Sequence, residues 1–182
     1  LSYDRLVMAP GIDINWTALP GYTEAAAEIM PHAWKAGAQT QLLRRQLEAM
    51  EDGGVVAMSI PANPYRCPPG PYERVSVMAK VLKEKGHGKS KIIVLDPKDK
   101  FSKMALFQEG WQKHYPGMVE WMDPKMHGGI KGVDPKEMHA NIAKSKKEKP
   151  PGGKKRKTHF VMPNILVMQL PPEHPAETGW RD

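Results

Sequence analysis

Apolar residues fall at two spacings along this chain, and the change from one to the other marks its elements. Tyr3 to Met8 reads as a strand closed by Ala9-Pro10-Gly11, where proline removes a donor and glycine permits a turn. From Ala33 to Met50 the apolar positions Trp34, Ala38, Leu42, Leu43, Leu47 and Met50 recur at helical spacing, and Gly53-Gly54 stop the run. Val55 to Ile60 is a short apolar run suited to a buried strand, and Pro61 to Pro71 is a loop. Tyr72 to Lys85 returns to helical period through Val75, Met78, Ala79 and Leu82, and KIIVL at Lys91 to Leu95 is a second buried strand. Met104, Phe107 and Trp111 share one face of a further helix, and Met118 to Met122 forms a third strand. The order is β-α-β-α-β, which right-handed crossovers arrange as a parallel sheet with helices on both faces. Asp123 to Gly153 is loop-rich, a candidate β-meander, and Ile165 to Leu170 supplies one more apolar strand before Pro171-Pro172.

Composition narrows the class. The 182 residues include 18 prolines and 16 glycines, too much punctuation for a helical bundle. No apolar run approaches the roughly 18 residues that a membrane span needs. The net charge of +7 sits in one place: Lys144 to Lys157, KSKKEKPPGGKKRK, holds eight basic residues and one acid, while the remainder balances at 19 of each sign. A basic face tracking nucleic acid is therefore not expected, and the stretch reads as a solvated loop. The seven histidines are scattered without metal-ligand spacing. Met78, Met104 and Met118, with Trp34, Trp111 and Trp121, occupy apolar faces as packing residues. The opening LSYDRLVMAPG lacks the features of a secretion signal.

The loop after the first long strand is the most specific feature. A dinucleotide site places Gly-x-Gly-x-x-Gly there, so that backbone N–H groups meet a pyrophosphate. IPANPYRCPPGPYER offers prolines instead, so no NAD(P) binding is expected, and Asp96 reads as a strand-terminal turn residue. A stiff loop can hold a side chain in a fixed place at low entropic cost. That side chain is Cys67, the sole cysteine, close before a helix and near Arg66 and Arg74 in sequence, where dipole and cations favour thiolate. Glu73 in the first helical turn is a candidate proton carrier. Residue types alone favour a buried structural cysteine with Glu73 stabilising the helix start.

The run CPPGPYERVSVMAKVLK, with KSKIIVLDPKDKFSK and GWQKHYPGMVEW, resembles the flavoprotein subunit of flavocytochrome c sulfide dehydrogenase. YDRLVMAPGI and PHAWKAGAQTQLLRRQLEAMEDGGVV are similar to the segment just upstream, and VMQLPP to a later strand. The resemblance implies a Rossmann-like domain of an FAD-dependent oxidoreductase that passes electrons from sulfide to a c-type cytochrome subunit in the periplasm. It implies that Cys67 is the redox cysteine, that Glu73 handles protons, and that Ala9, Pro10 and Gly11 form a turn approaching the flavin. The Gly-rich motif, a flavin-anchoring cysteine and a second redox cysteine are all absent from the sequence. The chain therefore resembles the central domain of that subunit, expected to bind FAD weakly or not at all alone.

Four segments follow from this reading. Residues 1–31 are an edge strand and connection, and 32–122 the Rossmann-like βα core. Residues 123–163 are the loop-rich or meander insertion with its basic stretch, and 164–182 a final strand and tail. Two classes of function remain open at this point. One is the thiol-bearing piece of a sulfide dehydrogenase. The other is a non-catalytic Rossmann-like scaffold that has lost its cofactor half and uses Lys144 to Lys157 against an acidic partner.

Overall fold

A computed structural model describes residues 2–9, 11–32, 34–136, 139–142 and 158–163. The apolar run after Gly54 becomes strand β1 (Val55–Ser59), every residue of which is buried. It pairs in parallel with β2 (Lys91–Leu95), which pairs in parallel with β3 (Val119–Met122). Between these strands run the crossover helices α2 (Gly70–Glu84) and α3 (Met104–His114), preceded by α1 (Ala38–Ala49). The fold is α/β, and its parallel β1-β2-β3 sheet with intervening helices is the βαβαβ core that the periodicity predicts.

Side chains alternate across a strand, and β1 divides the interior accordingly. Val56 and Met58 join one core with Leu43 and Leu47 of α1, Tyr72, Val75, Met78 and Leu82 of α2, and Trp111 of α3. Ala57 joins a second core with Leu19, Tyr22, Met30 and Val133 and with Ala26 and Ala27 of a 3-10 turn (Ala25–Glu28). Helical structure thus covers both faces, α-helices one and the 3-10 turn the other. Burial at i, i+3 and i+4 along α2 explains why that helix was legible. Its end is equally local: Gly86 has φ +75°, the His87 N–H donates to Leu82 O at 2.9 Å, and the Gly86 N–H donates to Lys83 O at 3.0 Å, a closure that needs the left-handed conformation.

Three features differ from expectation. Tyr3 to Met8 forms no strand; Tyr3, Leu6, Val7 and Met8 are exposed, and no described segment pairs with them to complete the ladder a strand requires. Helix α1 starts at Ala38 rather than Ala33, because Gly37 at φ +86° and ψ −123° cannot belong to a helix. The Gln39 side chain, whose Oε1 accepts from the His32 N–H at 2.9 Å, ties this bend instead. A strand absent from the sequence reading, β6 (Thr158–Pro163), pairs in parallel with β1 and completes the order β3-β2-β1-β6. The expected strand Ile165 to Leu170 lies outside the described residues, as does the basic stretch Lys144 to Lys157.

The loop-rich insertion contains a one-turn helix α4 (Pro124–His127) and an antiparallel hairpin of β4 (Ile130–Asp134) with β5 (His139–Ile142). Asp123 caps α4 by accepting from the Met126 N–H at 2.9 Å. The Val133 N–H donates to Pro20 O at 2.9 Å, bringing β4 against the segment before the 3-10 turn.

Candidate functional site

The site grows from the C-terminal end of β1. The Ile60 N–H donates to Leu95 O at 2.9 Å and extends the ladder by one residue. Residues 61–69 then leave the sheet as an irregular loop that includes a cis Asn63-Pro64 bond. Cys67 sits in the left-handed region, φ +57°, an uncommon conformation for a residue other than glycine. Its carbonyl accepts from the Gly70 N–H at 2.9 Å. The sulfur rests against the start of α2: a Cβ at Gly70 would lie 3.0 Å from Sγ, so the absent side chain makes room for the thiol.

Cys67 is exposed, and the alternative of a buried structural cysteine is not what the fold provides. Cys67 lines a groove of about 630 Å³ between α1 and α2. Leu43, Leu47, Val77, Met78 and Val81 give it an apolar floor and walls, while Glu73 and Arg74 line it near Cys67. Cys67 and Glu73 are therefore brought to one surface. Ala9 and Gly11 are exposed and line no part of the groove, and Pro10 lies outside the described residues.

Arg74 is half-buried. Its Nη1 donates to His32 O at 3.3 Å, and its guanidinium lies 5.8 Å from the centre of the Trp34 ring. Burial pushes its pKa below the usual arginine value, and a negative charge on Cys67 opposes that shift. His32 is 2% exposed. Burial first, then Lys35 and Arg74, push its pKa down to about 4, against the opposing charge of Asp13, so it is neutral at pH 7. Among the described residues, no group of three His, Cys, Asp or Glu side chains could hold a metal ion. No described helix is long and apolar enough to cross a membrane.

Behind the loop lies a cluster that sequence reasoning missed. Asp96 makes the strand-terminal turn read for it, its Oδ1 accepting from the Lys98 N–H at 3.0 Å, and it is also fully buried. Its Oδ2 accepts from Tyr72 OH at 2.5 Å and from Trp121 Nε1 at 3.1 Å. Its Oδ1 pairs with Lys98 Nζ at 2.7 Å. The His127 ring bonds Asp96 O through Nε2 at 2.9 Å while Nδ1 accepts from the Gly129 N–H at 3.0 Å, so Nε2 carries the proton. The one sequence signal was Asp-Pro-Lys at the end of a buried strand, an acid and a base placed where the chain leaves the core.

The family described as "Sulfide dehydrogenase [flavocytochrome c] flavoprotein chain, central" matches residues 40–151. The chain belongs to this family. The match contains Cys67, Glu73 and Arg74, and Ala9 to Gly11 fall before it. As the central part of a flavocytochrome c flavoprotein, the chain belongs with a flavin and a cytochrome by its family's name. The described residues do not themselves fit the diphosphate of a flavin dinucleotide. Pro61, Pro64, Pro68 and Pro69 of the loop have no N–H to donate, and of the two arginines on the groove wall Arg44 is paired with Glu48 while Arg74 shares the wall with Glu73.

Proposed function

We propose that this domain supplies the redox thiol of an FAD-dependent sulfide dehydrogenase that passes electrons from sulfide to a c-type cytochrome in the periplasm. The observation that carries the reading is an exposed Cys67 at the mouth of a groove beside half-buried Arg74, within a chain of this family. Cys67 begins the cycle in a disulfide with a second thiol, which this sequence does not contain. Hydrosulfide attacks the Cys67 sulfur; the S–S bond breaks, the second sulfur leaves as thiolate, and Cys67 retains a persulfide. Arg74 draws the anion into the groove, and Glu73 accepts the proton released when hydrogen sulfide ionises. A second hydrosulfide attacks the outer sulfur of that persulfide and carries it off as hydrogen disulfide, which leaves two thiolates; closing them again into the disulfide gives up two electrons, for which a bound flavin would be the acceptor. Ala9 to Gly11 would meet that flavin once the flavin-holding portion is in place.

The exchange can be tested on the chain itself. Cys67 is converted to a mixed disulfide with an aromatic thiol, and hydrosulfide is added. The expected products are the free aromatic thiolate and a chain heavier by one sulfur atom, with no such species from Cys67→Ser. A native Cys67 that fails to form the mixed disulfide, or hydrosulfide that leaves with the aromatic group as its persulfide, would overturn the assignment.

A further inference from the structure

The loop that carries Cys67 has little regular hydrogen bonding of its own, since four of its nine residues are proline. Its course is held instead by one ammonium group. Lys98 Nζ donates to Pro61 O at 3.1 Å, where the loop begins. It lies 5.0 Å from the centre of the Tyr65 ring, in the middle of the loop. Tyr65 OH in turn donates to Pro68 O at 2.9 Å, immediately after Cys67. The same ammonium is aimed by Asp96, which Tyr72 and Trp121 fix from α2 and β3.

These contacts close a circuit. It runs from Tyr72 on α2 through Asp96 and Lys98 to the loop, along the loop to Cys67, and back to α2 through the Gly70 N–H. An ammonium has three donor directions, and here they meet a carboxylate, a carbonyl and a ring face. The Lys98 side chain is only 13% exposed. Burying a charge so nearly completely is a poor way to gain stability, because a well-packed apolar residue serves as well. What the charge adds is direction.

We infer that Lys98 is a positioning residue for Cys67: its contacts with Asp96, Pro61 and Tyr65 hold the loop in the course that sets the sulfur against Gly70 and facing the groove. The inference rests on the reading of Cys67 as the redox thiol, and it adds a second residue, 31 positions away in sequence, on which that thiol's presentation depends.

The test compares how Cys67 reacts with a small neutral alkylating reagent, iodoacetamide, and with a bulky anionic aromatic disulfide. The ratio of the two rates, native chain against the same chain unfolded in urea, reports presentation and is insensitive to stability in a folded sample. The native wild-type ratio is expected to differ from the unfolded one by about fivefold or more, as suits a thiol in a defined surrounding. Lys98→Met, checked for native circular dichroism, should move most of the way to the unfolded ratio, and Lys98→Arg should keep the wild-type one. Tyr65→Leu leaves the ion pair intact, removes the ring face that the ammonium meets together with the hydroxyl's bonds to Pro68 and Tyr72, and should shift the ratio in the same direction. It decides the matter if Lys98→Met does not fold. A folded Lys98→Met, or failing that Tyr65→Leu, with the wild-type ratio overturns the inference, as does a wild-type ratio equal to that of the unfolded chain. Hydrosulfide exchange at Cys67 in the wild type is a separate measurement, so loss of the redox reading and loss of the positioning role are told apart.

Discussion

Tyr72 on α2 donates its hydroxyl to Asp96 at the end of β2 across 2.5 Å, with both residues fully buried. The pair ties the helix that receives the thiol to the sheet that carries the loop. Burial first, and then the bonded carboxylate, raise the Tyr72 pKa far above that of free tyrosine, which keeps the hydroxyl a donor across the ordinary pH range.

Removing either partner should therefore be unequal. Tyr72→Phe takes one donor from an acid that keeps Trp121 and Lys98, and should cost about 1–3 kcal/mol. Asp96→Ala strands the Lys98 charge together with the Tyr72 and Trp121 donors and should cost about 3–5 kcal/mol. Urea unfolding of the two variants checks the order; equal losses would show that the carboxylate is not the hub.

Acid should weaken the protein through His32. Its folded pKa, about 4, lies below that of a free histidine, near 6.5. The folded chain thus binds fewer protons than the unfolded one between those values. The neutral form is fully tolerated above about pH 6.5, and the stability it permits, about 3 kcal/mol at most, is lost as pH falls toward 4. Unfolding midpoints of wild type and His32→Asn, measured from neutral to acid pH, should converge as pH falls, because the variant lacks this titration.

Gly21 should be the least replaceable glycine among the described residues. It has φ +83°, and a Cβ there would lie 2.0 Å from Val133 O, backbone that cannot move without breaking the contact with β4. Gly21→Ala should cost about 3 kcal/mol or more. Gly53→Ala shares the positive φ but meets nothing within 4 Å, and should cost about 1–2 kcal/mol. Thermal midpoints of the two variants make the comparison.

Arg74 should matter to an anion and little to a neutral molecule. Arg74→Gln is expected to slow hydrosulfide exchange at Cys67 by about threefold to tenfold, most at low salt. Reaction with iodoacetamide should change far less. An equal fall for both reagents would mean that Arg74 acts on the fold alone, through His32 O and Trp34.

The sequence alone determined what repeats locally. Tyr72, Val75, Met78, Ala79 and Leu82 at helical spacing, and the apolar runs of β1 and β2, specify elements whose burial depends on each residue's own face. The order of those elements then leaves few topologies, and the CPPGPYER motif pointed to both the thiol and the family. Tertiary structure decided everything that needs a partner distant in sequence. Tyr3 to Met8 has strand composition and no strand to pair with among the described residues, whereas β6 is a strand because β1 accepts it. Asp96 is the turn residue its position suggests, but nothing in a linear pattern shows that Tyr72, 24 positions earlier, and Trp121, 25 positions later, converge on its carboxylate. Periodicity records which side of an element avoids water; it carries no information about which two polar groups will meet once water is gone.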